Sequence, residues 1–304
     1  MSVFKYIKAT LIGIWFISAL GWITIGALSK ASAINAASTI RAFVRVAATS
    51  TAKHKKIGKA DCQACHAALI KHANVHPVAE GCDTCHEFKE NQDTAEVKLI
   101  AEGNELCYTC HSEQKEALAN KKIKHLAAET DCLSCHNPHA SENPRLLNDK
   151  SPDLCFTCHA DKQEDFSKKK FAHAPINDLG CQICHNPHAA DFPTLLKTDK
   201  DALCVACHKA NFKHKAQANG DLLIFADTTI NPDYLSKAKK IMLNSEGKGH
   251  PYIGHPTMNV ADPSQKDKKM SCTSCHNPHF GNHQQMFQQD LRGQQLCDKC
   301  HKER

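Results

Sequence analysis

The cysteines of this 304-residue chain occur in one arrangement, which decides what the chain can fold around. All 18 cysteines belong to nine copies of the motif Cys-x-x-Cys-His, so no cysteine is left for a disulfide. Two cysteines with this spacing and an adjacent histidine form the attachment signature of a c-type haem, in which the sulfurs make thioether bonds and the imidazole binds the iron. Zinc is the alternative, but a zinc ribbon does not need histidine after every second cysteine.

The sequence therefore predicts nine covalently bound c-type haems with iron. Their attachment residues are Cys62, Cys65, Cys82, Cys85, Cys107, Cys110, Cys132, Cys135, Cys155, Cys158, Cys181, Cys184, Cys204, Cys207, Cys272, Cys275, Cys297 and Cys300. The proximal iron ligands, each the last residue of a motif, are His66, His86, His111, His136, His159, His185, His208, His276 and His301.

The amount of chain available per haem predicts the fold class. Residues 61–304 provide about 27 residues for each motif, too few for a conventional protein core around every cofactor. Only 6% of the residues are aromatic. We expect a mostly irregular fold of short α-helices with little or no β-sheet, in which haems form the interior of an extended array.

The charge of the chain changes sign once haem is counted. The polypeptide has a formal net charge of +6. Nine haems bring eighteen propionates and nine ferric centres, so the oxidised protein is expected to carry about −3 if every propionate is ionised. The lysines then serve as counterions and solubilising surface, and no nucleic-acid-binding surface is predicted.

The N-terminal residues predict export. In residues 1–30, an uncharged run from Ala9 to Ser29 follows Lys5 and Lys8 and is long enough to cross a bilayer as a helix. Ala31-Ser32-Ala33 also fits a signal cleavage site, so an uncleaved anchor and a cleaved signal peptide both stay open. Residues 31–60 are interpreted as a flexible linker. We expect a periplasmic location with a membrane anchor or, after cleavage, a periplasmic or extracellular protein.

A repeat of about 49 residues, holding two motifs, organises residues 61–304. Each copy has an upstream histidine, then Cys-x-x-Cys-His-Asn-Pro-His, an apolar pair such as Leu195-Leu196, and finally Leu-Cys-x-x-Cys-His. The copy at Cys82 has Glu87-Phe88-Lys89 instead of Asn-Pro-His, and the motif at Cys62 stands alone. Residues 211–271 form a haem-free insert with a predicted helix around Tyr234–Leu243, and we expect it to lie over one continuous array.

The remaining histidines are the candidates for the second axial position. Twelve are available for nine irons and methionine is scarce, so we expect two imidazoles on every iron. Those that follow Asn-Pro have too short an arm to reach the far face of their own haem, so they are expected to bind a neighbouring one. His250 and His255 replace the upstream histidine in the last unit. The predicted distal ligands are His72, His76, His125, His139, His173, His188, His250, His255 and His279, and His54, His214 and His283 are the predicted spares, with His72 open to exchange with one of them.

The run Cys-x-x-Cys-His-Asn-Pro-His followed by Leu-Cys-x-x-Cys-His resembles the doubled Cys-x-x-Cys-His family of multihaem cytochromes, related to class III cytochromes c. The resemblance covers about residues 60–304. It implies a closely spaced chain of low-potential haems in anaerobic or extracellular respiration. The partners that it implies are redox proteins of a respiratory chain, quinol, outer-membrane porin–cytochrome complexes, or further copies in a filament. Glu87-Phe88-Lys89 departs from the pattern and leaves the distal ligand of one early haem open.

The leading functional hypothesis is a non-enzymatic electron carrier, since irons with both axial positions filled exclude substrates. A nitrite- or hydroxylamine-type oxidoreductase is the alternative and needs an open iron. In the family resembling nitrite reductase, that site often has lysine in place of the motif histidine, and this chain contains no Cys-x-x-Cys-Lys. A membrane-anchored quinol dehydrogenase subunit is a further alternative, although no quinone pocket can be recognised in the sequence.

Overall fold

The structure, a computed structural model, describes residues 52–55, 62–90, 92, 94–289 and 295–301. The predicted anchor or signal at residues 1–30 and most of the linker lie outside these residues. None of the helices in the described part of the chain combines the length and apolar character needed to cross a membrane.

Helices are short wherever the chain is described, with none exceeding nine residues. The α-helices are Cys62–His66, Asn104–Tyr108, Ser112–Asn120, Leu126–Thr130, Asp153–Phe156, Ala160–Lys168, Ala174–Leu179, Lys200–His208, Pro232–Ser236 and Gln295–Asp298. The 3₁₀ helices are Ala67–Ile70, Cys82–Thr84, Cys132–Ser134, Pro144–Leu146, Cys181–Ile183, Pro193–Leu195 and Cys272–Ser274. Helices of this length are marginal by themselves, so contacts elsewhere must hold them.

The strands are equally short and form small antiparallel sheets. They are Ala52–Lys55, Asn74–Val75, His86–Glu90, Thr94–Leu99, Ile123–Lys124, Ala140–Ser141, Phe171–Ala172, Ala189–Ala190, Lys215–Ala216, Leu222–Phe225, Thr228–Ile230 and Phe280–Gly281. Two sheets have three strands and the other three have two. The prediction of a mostly irregular chain with short helices and little sheet is confirmed.

We number the repeats first to fourth by their first motifs, at Cys82, Cys132, Cys181 and Cys272. The three two-stranded sheets lie at equivalent places and connect consecutive repeats. In each, the strand before the upstream histidine of one repeat pairs with the strand after the Asn-Pro-His of the next. The paired residues are Val75 and Ala140, Lys124 and Ala189, and Ala172 and Phe280. We call these pairings the repeat joints.

The insert packs on the third repeat rather than forming a separate array. A small apolar cluster joins Ala206, in the helix of the Cys204 motif, to Ile224, Ile230 and Leu235 of the insert. The helix predicted around Tyr234–Leu243 is wrong in extent, because it occupies Pro232–Ser236. The chain then extends, so that the Ile241 amide can donate to the His208 carbonyl oxygen at 2.7 Å.

Buried apolar side chains are few in the described residues, and large apolar ones are exposed beside the motifs. Leu126 follows His125 and is 71% exposed, while Leu133 lies inside the Cys132 motif and is 52% exposed. Exposing such side chains to water is unfavourable, and an apolar group bound beside the motifs would cover them. The polypeptide can therefore line the surface of an apolar group but does not form a complete apolar core by itself.

Candidate haem sites

The motifs adopt two local conformations according to their place in the repeat. The first motif of each repeat begins a 3₁₀ turn, as at Cys181–Ile183, whereas the second lies in or at the end of an α-helix, as in Lys200–His208. In both, the motif histidine amide donates to the carbonyl oxygen of the first cysteine, for example from His185 to Cys181 at 3.1 Å. Both cysteines and the histidine therefore share one helical turn, as attachment to a single porphyrin requires.

Backbone carbonyls orient several motif histidines. Nδ1 of His136 donates to the Arg145 carbonyl oxygen at 2.9 Å, and Nδ1 of His185 donates to that of Thr194 at 2.8 Å. His276 has the same contact with Gln285 at 2.7 Å. Because Nδ1 then carries the proton, Nε2 is left as the metal-binding nitrogen, with its ring orientation fixed.

This carbonyl contact could not be predicted from residue types, since the acceptor can be any residue. The acceptor lies one position before the apolar pair of the repeat. In the third repeat, Thr194 reaches its place with a φ of 58°, and the Leu195 carbonyl oxygen accepts from the Asn186 amide at 2.8 Å. The constant distance in sequence between the motif and this apolar pair is the feature from which the contact could have been predicted.

Eight motif histidines lie opposite a histidine from outside the motifs, with ring centroids 6.0–6.4 Å apart. The pairs are His76 with His111, His86 with His139, His125 with His159, His136 with His188, His173 with His208, His185 with His279, His250 with His276, and His255 with His301.

This separation fits a metal ion held between two imidazoles. Two metal–nitrogen bonds of about 2.0 Å, together with about 1.1 Å from each nitrogen to its ring centre, give about 6.2 Å between centroids. In six of the eight pairs the ring planes are within 27° of parallel. The residues present thus fit a haem between each pair.

The pairs follow a rule that relates neighbouring repeats. In the first three repeats the histidine of the second motif is opposed by the upstream histidine of its own repeat, as His125 opposes His159. The histidine of the first motif is opposed by the Asn-Pro-His of the following repeat, as His188 opposes His136. The fourth repeat differs, because His250 and His255 of the insert oppose its two motif histidines.

The repeat joints hold both opposing histidines of one repeat together. The His125 amide donates to the His188 carbonyl oxygen at 2.9 Å, and equivalent bonds run from His76 to His139 and from His173 to His279, both at 2.8 Å. Each joint therefore fixes the two imidazoles that face the two motifs of one repeat.

The remaining histidines have different neighbours. Nδ1 of His72 lies 2.9 Å from a carboxylate oxygen of Glu142, so the predicted ligand role of His72 stays a prediction. Nε2 of His214 is 2.6 Å from the Ala206 carbonyl oxygen, which occupies the nitrogen that a ligand would use. The backbone of His54 lies in the strand Ala52–Lys55, and the main-chain carbonyl of His283 accepts from the Met286 amide.

Cysteines of successive motifs lie side by side from one repeat to the next. A hydrogen bond from Cys132 lowers the pKa of Cys107 to about 6, and one from Cys155 lowers that of Cys181 to about 6. A hydrogen bond from Cys272 lowers the pKa of Cys204 in the same way.

The same three junctions share a side-chain contact to the first cysteine of the later repeat. The Cys132 amide donates to Asn104 Oδ1, the Cys181 amide to Ser151 Oγ and the Cys272 amide to Asp201 Oδ1, each at 2.9 Å. The last junction has the same contact although Cys204 and Cys272 are 68 positions apart in the sequence. Attachment points that are neighbours in the sequence are therefore neighbours in the described structure.

Burial keeps several opposing histidines in the form that binds metal. Removal from water, followed by the nearby His208, lowers the pKa of His173 to about 4. Burial is also the main cause of the lowered pKa of His188 and of His279. A neutral imidazole is the metal-binding species, so these side chains are ready to ligate at neutral pH.

The described residues contain no group of three or more His, Cys, Asp or Glu side chains arranged to hold a metal ion.

Comparison with known proteins points to the same residues. A family model described as "Doubled CXXCH motif" matches residues 76–116, 125–164, 173–213 and 263–304, which is just over half of the chain. Three of these matches begin at His76, His125 and His173, the upstream histidines. The motif at Cys62 lies outside all four. A search of curated proteins found no match.

Proposed function

Because the chain belongs to the doubled CXXCH family and is a multihaem c-type cytochrome with four paired motifs, we propose that it carries nine haems and conducts electrons along them. The observation that supports this most strongly is the set of eight opposed imidazole pairs at 6.0–6.4 Å. When bound, each haem would supply reversible one-electron exchange between ferric and ferrous iron.

The residues of the chain perform three tasks in this proposal. The cysteine pairs would hold each porphyrin covalently, and the motif histidines would bind its iron. The opposing histidines would also bind the iron and so keep external ligands away from it. The contacts between repeats, such as that from the Cys132 amide to Asn104 Oδ1, hold successive attachment points together, and close spacing is what electron transfer through a row of cofactors requires.

The place of the protein in metabolism belongs to the same proposal. We propose an exported carrier in anaerobic or extracellular respiration that takes electrons from a membrane or periplasmic donor and passes them to a downstream redox protein. The support is the apolar run Ala9–Ser29 in the sequence and the family, whose c-type haems are attached outside the cytoplasmic membrane.

Ligand access to the irons distinguishes this carrier from an enzyme. The full chain, produced in a host that attaches c-type haem, is reduced with dithionite and titrated with carbon monoxide while the absorption spectrum is followed. We expect low-spin spectra in both oxidation states, no carbon monoxide adduct, and reoxidation by an added haem-protein acceptor.

A high-spin iron together with nitrite- or hydroxylamine-dependent reoxidation would contradict the proposal. That result would favour the oxidoreductase. Hydroxylamine and nitrite are therefore included as separate acceptors in the same experiment.

A further inference from the structure

The fourth repeat obtains both of its opposing histidines from one short loop. His250 lies opposite His276, with centroids 6.2 Å apart, and His255 lies opposite His301 at 6.4 Å. In the first three repeats the two corresponding histidines come from different repeats. Here they are five positions apart in the insert.

Hydrogen bonds at the base of this loop hold both histidines by their backbone. The Gly249 amide donates to the His255 carbonyl oxygen at 3.0 Å. The buried Thr257 donates through Oγ1 to the His250 carbonyl oxygen at 2.7 Å. A repeat joint has a similar bond, from the amide of one opposing histidine to the carbonyl of the other, but between two distant segments.

The loop base has no room for side chains at its glycines. Gly249 has a φ of 126°, and a Cβ there would lie 2.8 Å from the Met242 carbonyl oxygen. Gly247 has a φ of 73°, and its Cβ would lie 2.5 Å from Met258 Cγ. Both close approaches explain why glycine occupies these positions. The tip of the loop is open, since Ile253 is fully exposed.

The segment after the loop is fixed to the fourth repeat. Buried Asp262 accepts hydrogen bonds from the Ser264 side chain at 2.6 Å and from the Ser274 side chain, inside the Cys272 motif, at 2.7 Å. The Met270 amide also donates to the Val260 carbonyl oxygen at 2.8 Å. These bonds hold the segment that follows the loop against the Cys272 motif, whose histidine, His276, faces His250.

We propose that residues 249–257 form a two-ligand cap, in which one loop supplies the distal iron ligand of both haems of the fourth repeat and so takes the place of a following repeat. His250 serves the haem at Cys272, and His255 serves the haem at Cys297. Gly249 and Thr257 are positioning residues that act through these histidines. The inference rests on the proposed haem function.

Carbon monoxide binding to the dithionite-reduced full chain, counted per polypeptide, tests the cap. The unaltered protein is expected to bind none. His250→Gly and His255→Gly are each expected to open one iron, and the double variant two. Added imidazole should refill each opened position and restore the low-spin spectrum, which a misfolded variant would not do.

Removing one haem identifies which iron each histidine serves. In a Cys272→Ala/Cys275→Ala background, His250→Gly is expected to add no carbon monoxide site, while His255→Gly still adds one. A Cys297→Ala/Cys300→Ala background should give the reverse. If His250→Gly still opens a site when the haem at Cys272 is missing, the assignment is overturned.

The positioning residues distinguish a cap from two independent ligands. Gly249→Val is expected to open both irons together, and Thr257→Val to raise the dissociation rate of the His250 ligand, with rescue by Thr257→Ser. Ile253→Ser, at the exposed tip, is the matched control and should change nothing. Opening of one iron or none by Gly249→Val would overturn the cap. Carbon monoxide binding by the unaltered protein would instead contradict the proposed bis-histidine carrier.

Discussion

The asparagine of each Asn-Pro-His run sets the direction of the histidine that follows it. Asn186 Oδ1 accepts from the His188 amide at 2.9 Å, and Asn137 and Asn277 make the same contact with His139 and His279 at 3.0 and 2.9 Å. Such side-chain turns are typical of asparagine. The proline then restrains the short arm, so the imidazole leaves the turn toward the preceding repeat.

Replacing Asn186 with alanine should loosen His188 without removing it. The lost acceptor is expected to cost about 1 kcal/mol of unfolding free energy, measured by guanidinium chloride denaturation. Asn186→Asp keeps the accepting oxygen and is the control, expected to remain close to the unaltered protein. Equal destabilisation by both variants would show that the turn contact is not the cause.

Asp262 should make the fourth repeat sensitive to acid. Burial alone would raise the pKa of this carboxyl, but hydrogen bonds from Ser264 and Ser274 outweigh burial and lower it. The carboxylate therefore stabilises the fold above its unfolded pKa of about 3.9, and this contribution is lost as the pH falls through the lower folded value. We expect Asp262→Asn to cost about 1–3 kcal/mol at pH 7 and to flatten the loss of stability in acid, as followed by urea denaturation between pH 2 and 7. Unchanged stability at pH 7 would contradict this role.

At the scale of elements, the repeat joints connect consecutive repeats in the described residues. In each joint the strand after the Asn-Pro-His is buried, and Ala140 and Ala189 are each only 1% exposed. Two-stranded sheets of this length have little stability alone. The joint therefore depends on close packing of its two strands and on the opposing histidines that lie next to them.

An enlarged side chain in a joint should separate the strands. Ala189→Leu is expected to destabilise the chain by about 1–3 kcal/mol. It should also expose irons of the second repeat to carbon monoxide, because His125 and His188 both belong to that joint. Ala216→Leu, in an exposed two-residue strand, is the matched control with the same added volume. Equal effects of the two variants on stability and ligand access would contradict the joint's role.

Local features of the motifs could be predicted from the sequence, whereas their pairing could not. The proximity of Cys181, Cys184 and His185 follows from spacing alone, and short helices follow from the small amount of chain per haem. Which motif histidine faces His188 depends on contacts between residues about 50 positions apart in the sequence. Spacing alone excludes only the haem of the motif that ends at His185. The segment after Ser236 does not continue the helix, because its carbonyl oxygens bond to another segment. The Lys239 carbonyl oxygen accepts from Nδ1 of His208, and the Ile241 carbonyl oxygen accepts from the Ala210 amide.

At the scale of the whole molecule, the haem attachment points follow one another in the order of the sequence. The amides of Cys132, Cys181 and Cys272 each donate, at 2.9 Å, to a side chain that lies just before the second motif of the preceding repeat. These contacts hold the first attachment point of one repeat beside the second motif of the repeat before it.

Haem charge should dominate the electrostatics of the mature protein. The polypeptide alone has a sequence pI of about 8.5. Eighteen propionates and nine ferric centres together are expected to bring the oxidised holoprotein to a net charge of about −3, and full reduction makes it more negative. Isoelectric focusing should place the holoprotein below pH 7 and the chain made without haem attachment near its sequence value. A basic isoelectric point for the haem-loaded protein would contradict the haem count.

The mass of the intact mature chain, measured after production in a host that attaches c-type haem, tests most directly whether nine haems are bound. We expect the mass of the processed polypeptide plus nine covalently bound haems, unchanged by acid and acetone extraction because thioether bonds survive it. A mass equal to the bare chain, or to the chain with zinc, would contradict the proposed multihaem electron carrier.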